Sequence, residues 1–328
     1  MSKTKNHILK LLFKNRNDYI SGQKISDEIG CSRTAVWKHI KELENEGYTI
    51  ASVHKRGYKL IDAPDQLSEA KIYAGLTTKT LGHHLVYQDE IPSTQKKAQH
   101  LAEDGAEEGT VVLADEQTSG RGRLGRSWHS PKGTGIWMSL IIRPDIPIHK
   151  APQFTLLTAV AVVKAVKHVT GLDCEIKWPN DILYKGKKFV GILTELQAEA
   201  ADVKAIIVGI GINVNAAIDD FPEELKDIAT SLRAEAGTAF DRAELIQEIL
   251  KAFEDLYKSY MDEGFGLIKL LWESYAISLG RQIYARTANG TVVQGLAQGI
   301  NDEGVLLLKD KDGKIHKIYS ADIEISSQ

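Results

Sequence analysis

Residues 116–137 read Glu-Gln-Thr-Ser-Gly-Arg-Gly-Arg-Leu-Gly-Arg-Ser-Trp-His-Ser-Pro-Lys-Gly-Thr-Gly-Ile-Trp, a segment whose residue types suit anion chemistry better than stability. Gly120, Gly122, Gly125, Gly133 and Gly135 free the backbone to take φ > 0 and to come close to a ligand, at an entropic cost on ordering. Arg121, Arg123 and Arg126 alternate with them, and guanidinium forks match phosphate oxygens in pairs. A solvated basic loop of a nucleic-acid binder has the same composition, so the loop alone leaves both readings open.

A second cluster, Lys177-Trp178-Pro179-Asn180-Asp181, ends a strand pattern with a proline that removes a ladder donor, which pushes Asn180 and Asp181 onto a turn. Taken alone this is equally an Asx-turn of a hairpin. Lys188 follows at the start of the next strand, beside Gly191, where a missing side chain admits a ligand or another backbone. A strand lysine by itself is more often a solvated edge residue. Gly209-Ile210-Gly211-Ile212-Asn213 ends an apolar strand with two glycines, but no helix pattern follows and the spacing is not that of a dinucleotide fingerprint. Neither Cys31 nor Cys174 has a ligand set or a histidine beside it, so both read as small apolar side chains.

The elements that must position these groups form an α+β pattern. Ser93-Thr94 reads as a helix N-cap after a short strand at 86–88, followed by Ala98, Leu101 and Ala102 on an inward face. Strands at 110–114 and 136–142 deliver the chain into the Gly/Arg loop and take it away. A long apolar helix spans 154–169, ended by Gly171. Strands follow at 175–178, 182–184, 189–196 and 205–213, then two helices at 241–260 and 267–279. Adjacent strands make hairpins, so the sheet is expected to be mixed. Turn signals at Asn289-Gly290, 301–304 and Asp312-Gly313 separate short strand patterns, which suggests a small antiparallel barrel at the C-terminus.

Composition sets the frame. The 328 residues, 43% apolar and 26% charged, suggest two or three soluble domains. No run approaches the ~20 apolar residues of a membrane span and the N-terminus lacks an apolar signal core, so no membrane role and a cytoplasmic location are expected. The net charge of −3 is uneven: residues 1–60 hold twelve Lys and Arg against six Asp and Glu, a balance of +6 that leaves −9 for the rest. A basic head on an acidic body points to an anionic partner for the head. That head shows three short helical patterns. Ile8, Leu11 and Leu12 make one apolar face, Ser21 caps a helix stopped by Gly30, and Ser32 caps a third with Val36, Ile40 and Leu43 inward. The turn at 29–32 is that of a helix-turn-helix. Ser32, Arg33, Thr34, Trp37, Lys38 and Lys41 start or face outward on the third helix, and Lys55 and Arg56 ride a hairpin tip. Together they read as a winged-helix DNA surface, with an inert or protein-binding winged helix as the alternative. Ala63-Pro64-Asp65 is the expected boundary, giving domains at 1–65, 66–279 and 280–328, with a short helical stretch at 68–75 as the linker.

Winged helix, Gly-Arg-Gly-Arg-Leu-Gly-Arg, Lys-Trp-Pro-Asn-Asp, Lys188 and a small barrel, in that order, resemble the bifunctional biotin–protein ligase and biotin-operon repressor family over nearly the whole chain. The resemblance implies a central mixed-sheet domain of the biotin/lipoate ligase type and an SH3-like C-terminal barrel. It implies that biotin and ATP condense to biotinyl-5′-AMP, and that biotin then passes to a lysine of the biotin carboxyl carrier protein, a subunit of acetyl-CoA carboxylase. It also implies a homodimer when adenylate is bound, and repression through operator DNA. The family's biotin contacts fall on Ser93, Thr94, Gln117, Arg121, Gly122, Arg123 and Lys188. Gln95 joins them where some members carry Asn, an amide of different reach. The adenine-stacking tryptophan falls on Trp128 and a phosphate contact on Arg126, with Arg123, Asn180, Asp181 and Asn213 as further candidate contacts to the adenylate.

The residues support that chemistry independently. Carboxylate attack on an α-phosphate needs positioning and fixed positive charge but no covalent enzyme intermediate. Lys188, Arg123 and Arg121 are the candidate catalytic cations. Mg²⁺ is the expected metal, with Asp181 the candidate that places it. Three rivals stand beside this reading: a lipoate ligase, a transcription factor whose body only senses an anion, and a ligase whose head is inert.

Overall fold

The computed structural model describes residues 3–62, 67–199, 202–287 and 289–326. The chain divides into two compact units, Met1–Thr77 and Thr78–Gln328. The first contains α1 (Lys3–Lys14), α2 (Gly22–Ile29), α3 (Arg33–Asn45), β1 (Thr49–Val53), β2 (Gly57–Asp62) and α4 (Glu69–Gly75). Ser21 and Ser32 cap as their residue type predicts, each hydroxyl accepting a backbone N–H at 3.1 Å, from Lys24 and Ala35. Gly30 closes α2 at φ 72°, the left-handed turn that glycine takes without strain. Ile8, Leu12, Ile25, Val36, Ile40 and Leu43 form the core, and β1 and β2 pair antiparallel as the wing.

The expected boundary at Ala63-Pro64-Asp65 lies outside the described residues. The helix after it is not a linker between domains: Ala70 of α4 is fully buried in the core of the first unit. An apolar residue inside another element's core binds the helix to that unit, so the unit extends beyond residue 65 to Thr77.

The second unit begins with β3 (Leu85–Ile91), α5 (Thr94–Glu103), β4 (Val111–Gln117), β5 (Gly135–Ile142) and α6 (Gln153–Thr170). It continues with β6 (Glu175–Lys177), β7 (Asp181–Tyr184), β8 (Lys187–Glu199) and β9 (Asp202–Asn213). After these come α7 (Leu232–Ala236), α8 (Arg242–Glu263) and α9 (Gly266–Tyr275). The strands make one mixed sheet in the order β3-β4-β5-β9-β8-β7-β6. Only β3 and β4 are parallel, joined by the α5 crossover, and the other pairs are antiparallel. Strand β5 is buried along its whole length, and α6 carries the apolar layer that packs on the sheet and on α8 and α9.

Strands β8 and β9 run longer than the apolar pattern at 189–196 and 205–213 indicates. Their outer halves are polar and partly exposed, so the alternation fades while the ladder continues. Helix α9 stops at Tyr275, short of the expected 279, because the chain turns extended to pair with the main sheet: Ile277 N–H donates to Ile176 O at 3.0 Å. The final strands, β10 (Gln282–Arg286), β11 (Val292–Ile300), β12 (Leu306–Lys309), β13 (Ile315–Ile318) and β14 (Asp322–Ile325), form an antiparallel sheet ordered β13-β12-β11-β10-β14. It belongs to the same compact unit as the main sheet. Gln153 Nε2 donates to Asp302 O at 2.7 Å and Lys269 pairs with Asp302 at 2.9 Å, which ties its turns to α6 and α9. No helix of the described residues is long and apolar enough to cross a membrane.

One buried ion pair holds the second unit to its candidate site. Arg242, at the start of α8, lies 2.7 Å from Asp115 of β4, and the two side chains are only 2% and 4% exposed. The same guanidinium donates to Gly135 O at 3.1 Å, so one cation grips both ends of the Gly/Arg loop. Removing one member leaves an uncompensated charge in the core. Asp115→Ala is therefore expected to cost about 3–5 kcal/mol in urea unfolding, and exchanging both partners for apolar residues to cost less. Equal losses from the single and double changes would show that the pair's charge is not what matters.

Candidate functional site

The cleft starts from a floor without side chains. Gly191 of β8 faces Gly211 of β9, and Gly209 faces Leu193 two pairs further along, on the same face of the sheet. A Cβ on Gly211 would lie 2.5 Å from Trp128 Nε1, and one on Gly191 2.9 Å from its Cζ3. The indole therefore lies across both strands where only glycine leaves room. Its Nε1 is buried without a hydrogen-bond partner. A Cβ on Gly209 would lie 2.5 Å from Gln95 Oε1. The Gly-Ile-Gly-Ile-Asn segment thus builds a floor for two side chains, a role its spacing did not disclose.

One end of the cleft is neutral and polar. Thr94 and Gln95 open α5, Gln117 ends β4, and Ser139 is the one hydroxyl in the apolar run of β5. Gln117 Oε1 accepts from the Thr94 N–H at 3.0 Å and from its hydroxyl at 3.1 Å. Gln117 Nε2 donates to Ser130 Oγ at 3.1 Å, and Ser130 donates on to Trp128 O at 2.8 Å. Ser93 occupies the N-cap position of α5, yet its hydroxyl makes no capping bond. The Ser93 Oγ is buried and unpartnered, an orphaned polar atom of the kind a ligand satisfies.

The other end is cationic. Arg121, Arg123, Arg126 and Lys188 line it, opposed by Asp181 and Asp322. Asn180 fixes the arrangement: its Nδ2 donates to Ile192 O at 2.8 Å, and its Oδ1 accepts from Arg123 at 3.1 Å. Arg123 also donates to Ser320 Oγ at 2.8 Å, and Arg126 forks onto Asp322. Burial pulls the Arg123 pKa down, with Asp322 and Asp181 opposing the change. The hydrogen bond from Arg126 holds the Asp322 carboxyl below the usual carboxylate range. Lys188 Nζ lies 2.7 Å from Asp181 Oδ1 and 5.2 Å from the Trp128 ring centre. The Lys188 backbone is pinned on both sides, to Ile228 O and from Thr230 N–H, each at 2.9 Å.

Of the five loop glycines, only Gly125 and Gly133 take φ > 0, at 75° and 78°. Gly120 and Gly135 are required by contact instead: added Cβ atoms would lie 2.3 Å from Ser130 Oγ and from the Trp137 ring. Gly122 meets neither constraint, since its nearest neighbour would be 3.5 Å away. The loop also carries a non-glycine left-handed residue, Leu124 at φ 56°, with its side chain exposed.

The sequence candidates therefore converge, with two exceptions. Asn213 does not line the cleft: its amide donates to Thr230 O at 3.1 Å and is buried there. Gln95 lines the cleft, but its polar atoms are engaged by Ser139, Ile207 and Leu193, so it offers a ligand no free group. Among the described residues no three His, Cys, Asp or Glu side chains cluster to hold a metal. Two carboxylates line the cleft beside its cations, Asp181 next to Lys188 and Asp322 next to Arg126. Burial raises the Cys174 thiol to about 12, which fits an inert apolar role. Ser139, Ser320 and Asp322 were missed. A lone hydroxyl inside an apolar strand was a usable signal for Ser139; nothing local to Asp322 connects it with an arginine 196 residues away.

In the first unit Arg33, Thr34, Trp37, Lys38 and Lys41 are all exposed on α3, Trp37 to 54%. Arg33, Thr34 and Trp37 share a groove with Ser52, His54 and Lys55 of the hairpin. Ser32 spends its hydroxyl on the cap, and Lys41 pairs with Glu44 at 2.6 Å. Arg56 stacks 4.5 Å above the Tyr19 ring.

Comparison with known proteins agrees with this geometry. Residues 87–213 match the model of the biotin/lipoate A/B protein ligase family, residues 4–59 an HTH domain, and residues 278–326 the biotin protein ligase C-terminal domain. The chain is 59% identical over 318 residues to the bifunctional ligase/repressor BirA of Bacillus spizizenii, covering 97% of each chain. It is 28% identical to BirA of Escherichia coli, covering 94% of each. The solved biotin protein ligase of Aquifex aeolicus, in complex with biotin and ATP, superposes with a TM-score of 0.65 at 32% identity. That match covers 75% of this chain and all of the other. The chain belongs to the biotin–protein ligase family, in its bifunctional ligase/repressor form with an N-terminal helix-turn-helix domain.

Proposed function

We propose that the chain joins biotin to ATP as biotinyl-5′-AMP, transfers biotin to a lysine of a biotin carboxyl carrier protein, and represses biotin genes as an adenylate-linked dimer. The observation that carries the first part is the two-ended cleft. A neutral polar end with an orphaned Ser93 hydroxyl suits a cyclic urea, and the end with Arg123, Arg126 and Lys188 suits phosphates. Trp128 between them offers an aromatic face for the adenine.

In this reading a biotin carboxylate oxygen attacks the α-phosphorus. The bond to the oxygen bridging the β-phosphate breaks, and pyrophosphate leaves with the electron pair. Arg123, held by Asn180, and Lys188, held by its clamped backbone, are fixed before substrate arrives. They meet the charge gathering on the phosphoryl oxygens without reorganising. Exposed Arg121 supplies a further cation. The carrier lysine amine then attacks the acyl carbon and AMP departs. Asp181 fits the habit of Mg²⁺ of taking one or two carboxylates and the rest from substrate phosphates; the metal would offset phosphate charge there.

For regulation, the Gly/Arg loop is the element that adenylate would order. A dimer surface completed by that ordering shifts a monomer–dimer population and presents two copies of α3 to a two-fold operator. Arg33, Thr34, Trp37 and Lys38 are the base-facing candidates, and Lys55 and Arg56 the backbone contacts.

Lys188→Ala is expected to slow biotinyl-AMP formation about 10²–10³-fold, as loss of one preorganised donor does, measured by pyrophosphate release with biotin and with lipoate. A fall of less than tenfold removes Lys188 from catalysis, and turnover of lipoate in place of biotin overturns the substrate. Sedimentation is expected to show dimer only with adenylate present, and operator affinity to fall steeply with salt as phosphate contacts require. Association that ignores adenylate contradicts the regulatory reading.

A further inference from the structure

Glu254 lies within α8, well away from the cleft, yet its carboxylate meets three backbone donors from the far end of the sequence. Oε2 accepts from the Lys79 N–H at 2.7 Å, and Oε1 from the N–H groups of Thr80 and Leu81 at 2.8 and 3.0 Å. Burial opposes its charge, but these donors hold the carboxyl below the usual carboxylate range. The segment it grips is seated in other ways too. The Thr78 hydroxyl donates to Leu81 O at 2.5 Å, and His83 Nε2 lies 2.7 Å from Thr78 O. The Gly82 N–H donates to Gly109 O at 2.9 Å. A Cβ on Gly109 would lie 2.7 Å from Thr80 O, so that turn is bare where the segment lies on it. The Arg242–Asp115 pair fixes the start of the same helix, which mounts Glu254 on a rigid element.

What Glu254 holds is the beginning of the second unit, which starts at Thr78. On the other side, α4 is bound into the first unit through Ala70, and the Leu76 N–H donates back to Tyr73 O at 3.4 Å. Exposed Thr77 stands between these two anchored stretches. Leu76 to Thr78 spans at most about 7 Å of chain. With residues 78–81 released, the next fixed point is Gly82, and the span grows to about 20 Å.

We propose that Glu254 is a positioning residue for operator binding: it latches residues 79–81 to α8 and so keeps the tether of the DNA-binding unit short. This rests on the reading of the chain as a dimeric repressor. In such a dimer, the second unit to reach its half-site does so at an effective concentration set by its tether. A short tether raises that concentration and restricts the half-site spacings that both units can reach. The latch needs a carboxylate, because both of its ends face N–H donors. A glutamine accepts at one end only and turns its NH₂ toward a donor at the other.

The test uses the full chain with biotin and Mg-ATP. The probes are the two-fold operator duplex of the biotin genes and the same duplex with its half-sites moved apart by about 5 bp, half a helical turn. The wild-type chain is expected to prefer the native spacing. Glu254→Gln is expected to bind the native operator about fivefold more weakly, as a threefold longer tether implies, and to discriminate less between the two spacings. Its adenylation rate and its dimerisation in sedimentation are expected to match wild type. A chain with three Gly/Ser residues inserted between Leu76 and Thr77 lengthens the tether with the latch intact. It is expected to behave like Glu254→Gln, which keeps the test usable should that variant not fold. Wild-type spacing preference in either folded variant, or a wild-type chain indifferent to spacing, overturns the proposal. A wild-type chain that binds neither duplex overturns the repressor reading itself, an outcome separate from these because it precedes any variant.

Discussion

The candidate site depends on one steric constraint: three positions on the paired strands β8 and β9 carry no Cβ. Gly191 and Gly211 stand opposite each other in the ladder, and Gly209 lies two pairs along. Methyl groups there would meet Trp128 and Gln95 at 2.5–2.9 Å, well inside contact distance. A flat sheet surface lets an indole and an amide lie directly on backbone, and the remaining groups are arranged around those two. The amide anchors the hydroxyl chain that reaches Thr94, and the indole carries the returning arm of the Gly/Arg loop. Glycine in a strand weakens it, and here the long β8–β9 pairing and the fully buried β5 beside it supply the compensating order.

A second dependence is electrostatic. Four cations and two carboxylates share the cationic end, and the order of Arg123, Arg126 and Lys188 follows from what holds them. Asn180 and Ser320 hold Arg123, Asp322 holds Arg126, and Asp181 holds Lys188. The Asp322 partnership is exposed and so contributes little to stability, but it places a residue of the C-terminal sheet in the cleft wall. The sheet's turns are docked on α6 and α9 by Asp302 and on Trp178 by Gly304 O. The C-terminal sheet thus supports both halves of the site without lining most of it. Asp322, its carboxyl held low by Arg126, keeps this contact at neutral pH and loses it as pH falls through its depressed pKa.

Much of this architecture is legible in the amino-acid sequence. Caps at Ser21 and Ser32, the Gly30 stop and the apolar faces of the head follow from local chemistry. So do the strands that flank the Gly/Arg loop, because entry and exit are marked by apolar runs. Convergence of Ser93, Thr94, Gln117, Trp128, Asn180, Asp181 and Lys188 rests on resemblance, since no spacing rule brings residue 93 to residue 188. What stays hidden is tertiary. The glycines of β9 look like a failed nucleotide fingerprint, because what they make room for comes from α5 and from the loop. The turn of Asn213 toward Thr230, the inclusion of α4 in the first unit, and the clasp of Arg126 by Asp322 all arise from contacts with no local signal.

If the glycine floor positions the nucleotide end of the cleft, Gly211→Ala should separate the two substrates. The added methyl would displace Trp128 while leaving Thr94, Gln95 and Gln117 in place. The measurement is the KM for Mg-ATP and the Kd for biotin, taken side by side on this variant and the wild-type chain. The predicted result is a Mg-ATP KM raised at least about tenfold, within the range that loss of base–aromatic stacking produces, and biotin affinity near that of the wild type. An unchanged Mg-ATP KM, or an equal loss for both ligands, would contradict it.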